Sequence, residues 1–63
     1  MKIVQDMMIN LREAGLFVTA VPGSQYTIHV ESSREAPCFL WELKNWNVST
    51  AGIGKIFLTY MGA

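Results

Sequence analysis

The side chains best suited to chemistry are His29 and Cys38, each the single residue of its type in the chain. Cysteine and histidine can form an activated nucleophile when they come within hydrogen-bond reach, and both are expected on one face of a β-sheet. However, the sequence has no recognisable nucleophile elbow, oxyanion loop or pocket-forming second layer. We therefore predict that the chain is not an enzyme, and that His29 belongs to an open, half-apolar sheet face.

A second chemical signal is the segment "AGIGK", which ends in Gly-x-Gly-Lys at Lys55. A phosphate-binding loop needs a longer glycine frame followed by a helix, whose N-terminal N–H groups face the anion. Here a β-rich run follows, so the segment is interpreted as a turn. With a single cysteine the chain also lacks the ligands of a structural zinc site and cannot form an internal disulfide. We predict no cofactor and no metal.

Composition narrows the class of partner. The chain has 63 residues, five Lys plus Arg against five Asp plus Glu, and 51% apolar residues against 16% charged. We expect residues 1–63 to form a single small domain whose stability needs a supplement, most simply a partner chain. Phosphate binding requires several cations on one face, and nucleic acid is therefore an unlikely partner. The cations are scattered singly along the chain: Lys2, Arg12, Arg34, Lys44 and Lys55.

We expect the sequence to contain neither a membrane span nor an export signal. The longest apolar runs, "LFVTAV" and "CFLW", are far shorter than the roughly 20 residues of a membrane-spanning helix. The N-terminal residues lack the apolar region and cleavage site of a signal peptide. We expect a cytoplasmic protein without membrane contact, in which the free thiol of Cys38 is stable.

The N-terminal segment "KIVQDMMINLREAG" predicts a helix over residues 2–14. Its apolar residues recur with helical spacing and form one stripe, and Gly15 stands where a left-handed C-terminal cap is expected. Ile9 lies off that stripe and hints at a second apolar contact. The stripe consists of Ile3, Val4, Met7, Met8 and Leu11.

The remaining residues favour strands. "LFVTAV" and "QYTIHVE" flank a Pro-Gly-Ser turn and predict a hairpin, and "IFLTYM" predicts a last strand after the glycine-bearing turn "STAGIGK". The run "CFLWELKNW" is ambiguous, because Ser32 and Glu35 have capping-box spacing and Pro37 could start a helix. We interpret residues 37–46 as a strand. The predicted fold is α+β: one N-terminal helix on an antiparallel meander of three to four strands.

Alternation along each predicted strand separates two faces. The set Tyr26, Ile28, Val30, Phe39, Trp41, Leu43, Ile56, Leu58 and Tyr60 is uniformly large and apolar, which predicts the core under the helix. The first strand leaves either Phe17 and Val21 or else Leu16 and Val18 on the other face. That second face mixes polar and apolar side chains, and a single helix cannot cover it. The predicted partner interface on it comprises Leu40, Trp46, Phe57, Met61, Thr27 and His29.

The order helix, "REAG", strand, "GS" turn, strand resembles the start of the double-stranded-RNA-binding-type RNases of HicAB toxin–antitoxin systems. In that family a histidine after the glycine–serine turn is thought to carry the cleavage. Here Gln25 occupies that position, and His29 follows four residues later on the same strand face. The resemblance covers the first thirty residues, without the family's positive charge or C-terminal helix. It implies an RNA-binding or RNase-toxin-like domain as the alternative function, and no catalytic residue is transferred.

The function expected from these observations is a small non-catalytic protein-interaction module. An inhibitor or accessory factor of the type that phages and mobile elements encode fits a chain of this size. We expect a protein partner and a homo-oligomer, with the dimer as the simplest form. A small-molecule binding protein with a pocket between subunits is a third alternative.

Overall fold

The structure, a computed structural model, describes residues 2–33 and 37–62. Within them the chain forms helix α1, four strands and a short 3₁₀-helix between the second and third strands, and this confirms the α+β class. The elements are α1 (Lys2–Glu13), β1 (Phe17–Ala20), β2 (Thr27–Glu31), the 3₁₀-helix (Cys38–Glu42), β3 (Trp46–Gly52) and β4 (Lys55–Tyr60).

Helix α1 packs on β1 and β2 through most of its apolar stripe: Val4 and Leu11 are buried and Met7 and Met8 are partly buried. Ile3, which was predicted on the same stripe, is 47% exposed. It ends as predicted, because Gly15 adopts a left-handed φ of 91°. The N–H of Gly15 donates to the Arg12 carbonyl at 3.0 Å and that of Leu16 donates to the Leu11 carbonyl at 3.1 Å. This pair of hydrogen bonds is the Schellman motif, which satisfies carbonyls at the end of a helix. The helix predicted over residues 2–14 is therefore confirmed to within one residue.

The β1–β2 hairpin closes through the predicted Pro-Gly-Ser turn. Gly23 has a φ of 83°, which a type II turn requires of the residue after Pro22. The Ser24 N–H donates to the Val21 carbonyl at 3.2 Å, and the Ser24 hydroxyl accepts from the Thr27 N–H at 3.1 Å. The turn is thus held by both the backbone and the serine side chain.

The sheet is antiparallel with the strand order β1-β2-β4-β3. It differs from a meander, in which strands pair in chain order, because β4 lies between β2 and β3. The chain after β2 reaches the far edge of the sheet before β3 begins, and β4 returns beside β2. Consequently β1 and β3 are the two edge strands.

The strand predicted over residues 37–46 is wrong. Cys38–Glu42 form a 3₁₀-helix, in which the Leu40 N–H donates to the Pro37 carbonyl at 3.2 Å, and the third strand begins only at Trp46. With three residues per turn, one side chain of the helix points inward while its neighbours point out. Leu40 is accordingly fully buried, whereas Phe39 and Trp41 are exposed. Glu35, which suggested a capping box, lies outside the described residues.

The core lies between the sheet and the two helices. Among residues 2–33 and 37–62 no polar or charged side chain is buried, so the core is held together by apolar packing alone. Within the same residues no helix is long and apolar enough to span a membrane. The buried side chains are Val4, Leu11, Val18, Ile28, Val30, Leu40, Ile56 and Leu58.

Candidate interaction surface

The face of the sheet that points away from the core is here called the open face. The pairing of the strands places alternate residues of all four strands on it, opposite the side that α1 and Leu40 cover. Its side chains are Phe17, Thr19, Thr27, His29, Glu31, Asn47, Ser49, Lys55, Phe57 and Thr59. A sheet covered on only one side leaves this surface available for another molecule.

The centre of the open face is an aromatic pair. His29 and Phe57 are opposite each other in β2 and β4, and their rings stack with centroids 4.9 Å apart and an interplanar angle of 29°. Thr19 lies beside His29 in β1, and Ser49 lies beside Phe57 in β3. The pair is therefore flanked on both sides by small polar side chains, and both rings are half-buried.

The next row of side chains towards the end of β4 is polar. Thr27 and Thr59 are opposite each other, and their hydroxyl oxygens are 3.1 Å apart in a hydrogen bond. Asn47 continues this row on β3. These groups are uncharged, so a partner that covers them displaces water from hydroxyls and an amide rather than from ions.

The opposite end of the open face has an apolar rim. Phe17 is 76% exposed and Ile53, at the tip of the β3–β4 turn, is 95% exposed. Both line one groove, whose walls include Glu31 and Lys55, an acidic and a basic residue that face each other across β2 and β4. Large apolar side chains this exposed are typical of a surface that another molecule covers.

Three of the predicted interface residues come together on the open face. Thr27, His29 and Phe57 lie on β2 and β4, with the aromatic pair and the threonine pair in adjacent rows. Met61 follows β4 and is 65% exposed. The predicted separation of the faces of β2 and β4 is thus confirmed for their central residues, because Ile28, Val30, Ile56 and Leu58 are buried on the other side.

Leu40 and Trp46 are not part of this surface. Leu40 is 0% exposed in the core, since the 3₁₀-helix turns it inward where a strand would have turned it out. Trp46 is opposite Tyr60, and the two rings are 5.2 Å apart on the side that packs against the core. The position of Leu40 was wrong because the run 37–46 was given the alternation of a strand. Trp46 was expected to be exposed because it follows that run, but it begins β3 and packs against the core.

The surface offers no catalytic arrangement that uses Cys38. This exposed thiol belongs to the 3₁₀-helix on the core side, so the structure does not bring it to His29 on the open face. In the part of the chain that the structure describes, no group of three histidine, cysteine or acidic residues could hold a metal ion. What the open face can do chemically is stack, donate hydrogen bonds and bury apolar area.

Several residues of the surface were missed from the sequence. Ser49 was assigned to the turn "STAGIGK" and Asn47 to no strand, although Trp46, Val48 and Thr50 alternate with them at the period of a strand. Ile53 between two glycines was also a usable signal, because an apolar residue at the tip of a turn has no core to enter. Phe17 was one of two alternatives for the side chain of the first strand on the open face. Val18 is buried, so Phe17 is the one that lies on the open face.

Comparisons of the chain with models of protein families, with curated proteins and with solved structures found no match.

Proposed function

We propose that this chain is a non-catalytic protein-interaction module, and that its open face receives part of another protein. The observation that carries the proposal is the open face itself, where the stacked His29 and Phe57 lie between polar side chains, with the exposed Phe17 at one end. Aromatic anchors surrounded by uncharged polar groups are the composition of the centre of a protein interface.

The charges of the open face agree with this function. Glu31 and Lys55 are its charged residues, they have opposite sign and they lie opposite each other at one end. The centre can therefore be covered without burying an unpaired ion, which is costly. An inhibitor or accessory factor needs only to bind over the active or docking surface of its partner, and the open face is suited to such binding. A cytoplasmic location would keep the exposed thiol of Cys38 reduced.

The accessible surface of the chain indicates how much of the open face a partner must cover. A standard interface covers about 800 Å² on each partner, which is about a fifth of this chain's 4423 Å² of accessible surface. One row of side chains cannot supply that area. The partner therefore extends from the threonine pair across the aromatic pair to the apolar rim at Phe17.

The test is capture of partners from a lysate of the source organism with three forms of the tagged chain, followed by quantitative mass spectrometry. The forms are wild type, Phe57→Asp on the open face and Gln5→Asp on the exposed side of α1. Proteins captured by wild type and Gln5→Asp should be lost with Phe57→Asp, because an aspartate at the centre would be buried without a partner charge.

Circular dichroism of each variant serves as the folding control. If Phe57→Asp is unfolded, Phe17→Asp replaces it, since Phe17 is 76% exposed and contributes little to packing. Capture of the same proteins by wild type and by a folded open-face variant would contradict the proposal.

RNA binding is the second candidate, and one observation favours it. An open antiparallel sheet with aromatic rings at its centre can stack unpaired bases. The positive charge on the open face is that of Lys55, and Glu31 lies opposite it. Because the two charges offset each other, the face attracts phosphates only weakly. Fluorescence anisotropy with a labelled single-stranded RNA separates the two functions: binding that weakens steeply with added salt and is lost in Phe57→Ala would favour RNA.

A further inference from the structure

The two edges of the sheet are protected differently. At one edge, β1 has four residues, and the Arg12 guanidinium donates two hydrogen bonds to the outward carbonyl of Val18, at 2.8 and 3.3 Å. At the other edge, β3 has seven residues, and α1 packs at the far side of the sheet on β1 and β2. A long free edge strand is a template for pairing with another strand.

The hydrogen bonds of β4 show which backbone groups of β3 are free for such pairing. The Tyr60 N–H donates to the carbonyl of Tyr26, the residue that precedes β2, at 2.9 Å. The Met61 N–H donates to the carbonyl of Asn45, the residue that precedes β3, at 2.6 Å. Because an antiparallel strand directs alternate residues to its two neighbours, Phe57 and Thr59 bond towards β3. Their partners in β3 are Ser49 and Asn47. The residues between and beside them, Trp46, Val48 and Thr50, therefore direct their N–H and C=O groups to the free edge.

The side chains of β3 also lack the usual protection of an edge. Natural edge strands are blocked by lysine or other charges, by proline, by short length or by bulges. The sequence of β3, "WNVSTAG", contains neither a charged residue nor proline. The single irregularity is a shift of register between Thr50 and Gly52, at the end of the strand, which leaves the segment from Trp46 to Thr50 regular.

We propose that β3 pairs antiparallel with β3 of a second copy of this chain about a two-fold axis through Val48. In this register Val48 is opposite its own copy, and Trp46 is opposite Thr50 of the second copy, each pair exchanging two backbone hydrogen bonds. On the open face, Asn47 meets Ser49 of the second copy. No charge opposes a like charge anywhere along the seam.

Self-pairing at β3 joins the two sheets into one continuous sheet and places the two open faces side by side. The surface is self-complementary, as a two-fold interface requires. It also supplies the partner chain that a domain of this size needs for stability. The proposal goes beyond the proposed function, since Phe57 lies on the inner strand β4 and the seam lies at the edge.

The first test is the mass in solution by light scattering and sedimentation equilibrium at tens of micromolar. Wild type should have twice the 7.1 kDa of one chain. Thr50→Pro removes an outward N–H without touching the β3–β4 ladder, and proline is tolerated on edge strands, so this variant should be a monomer. The matched control Thr50→Ala keeps the N–H and should remain a dimer.

A pair of double variants tests the register. Asn47→Lys with Ser49→Lys places like charges opposite each other across the seam and should give monomers. Asn47→Lys with Ser49→Glu places opposite charges there and should restore the dimer. These double variants also decide the case if Thr50→Pro does not fold.

A monomeric wild type would overturn the proposal, and so would a folded Thr50→Pro that remains a dimer. Equal masses for the two double variants would exclude this register. A dimer lost only in Phe57→Asp would move self-association to the open face. Conversely, a dimer that is intact in Phe57→Asp while partner capture is lost supports both proposals separately.

Discussion

Phe57 and Leu58 are neighbours in β4, and they lie on opposite faces of the sheet. Leu58 is 0% exposed among apolar side chains from β2, the helices and β3, whereas Phe57 is half-buried against the ring of His29. The core face has large apolar side chains along β2 and β4. The open face has threonine, serine and asparagine around one aromatic pair.

The two faces of the same strands therefore differ in role: the core face stabilises the fold, and the open face is where we propose that a partner binds. The core face is covered by other parts of the same chain, and substitution of its residues lowers the free energy of unfolding. The open face contributes less to folding, because solvent already reaches most of its side chains. Its aromatic residues can therefore be changed to test binding while the fold is retained.

The largest expected effect comes from a charge on the core side. Leu40→Asp should unfold the chain, because it buries an unpaired carboxylate in a core that has no buried polar side chain among the residues the structure describes. Trp41→Asp is the matched control, since Trp41 is the next residue of the 3₁₀-helix and is exposed. Circular dichroism of both variants is the measurement. A folded Leu40→Asp would show that the 3₁₀-helix does not close the core.

A smaller effect is expected from truncation of the two neighbours in β4. Leu58→Ala should lower the free energy of unfolding by about 2–5 kcal/mol, the range for large-to-small changes in a core. Phe57→Ala should cost less, because the ring is half-buried, and its stacking with His29 contributes about 0.5–1.5 kcal/mol beyond the apolar area that it buries. Chemical denaturation of both variants gives the values. Equal losses would mean that the open face is covered in solution by packing as tight as that of the core.

The smallest effect is expected from the threonine pair. A double-mutant cycle with Thr27→Val and Thr59→Val should give a coupling energy of about 0.2–1 kcal/mol, the range for cross-strand pairs. The hydroxyls are 3.1 Å apart on a half-buried part of the open face, so water compensates much of their loss. A coupling energy well above this range would indicate that Thr27 and Thr59 are shielded from solvent.

Local signals predicted the first half of the fold well. The spacing of Val4 and Leu11, the cap at Gly15 and the Pro-Gly turn each depend on neighbouring residues, and the structure confirms them. The alternation of β2 and β4 was also readable, because their buried faces are uniformly apolar. Those two strands placed Thr27, His29 and Phe57 correctly on the open face.

The second half required information that local signals lack. In "CFLWE" four bulky residues in succession suit a strand, yet tertiary packing selects a 3₁₀-helix with Leu40 inward. The following strand "WNVSTAG" has few apolar residues because it is an edge with one exposed side. The insertion of β4 between β2 and β3 is a long-range pairing, so no local pattern could indicate the order β1-β2-β4-β3.

The proposed function requires that the open face is free in the isolated chain and covered in a complex. His29 on that face and Cys38 on the 3₁₀-helix are single residues of their types, so each reports one side of the molecule. The measurement is the rate of carbethoxylation of His29 and of alkylation of Cys38, in the purified chain and in the complex captured from lysate. We expect His29 to react in the purified chain and to be protected in the complex, while Cys38 reacts equally in both. Equal reactivity of His29 in the two states, or protection of Cys38 instead, would contradict it.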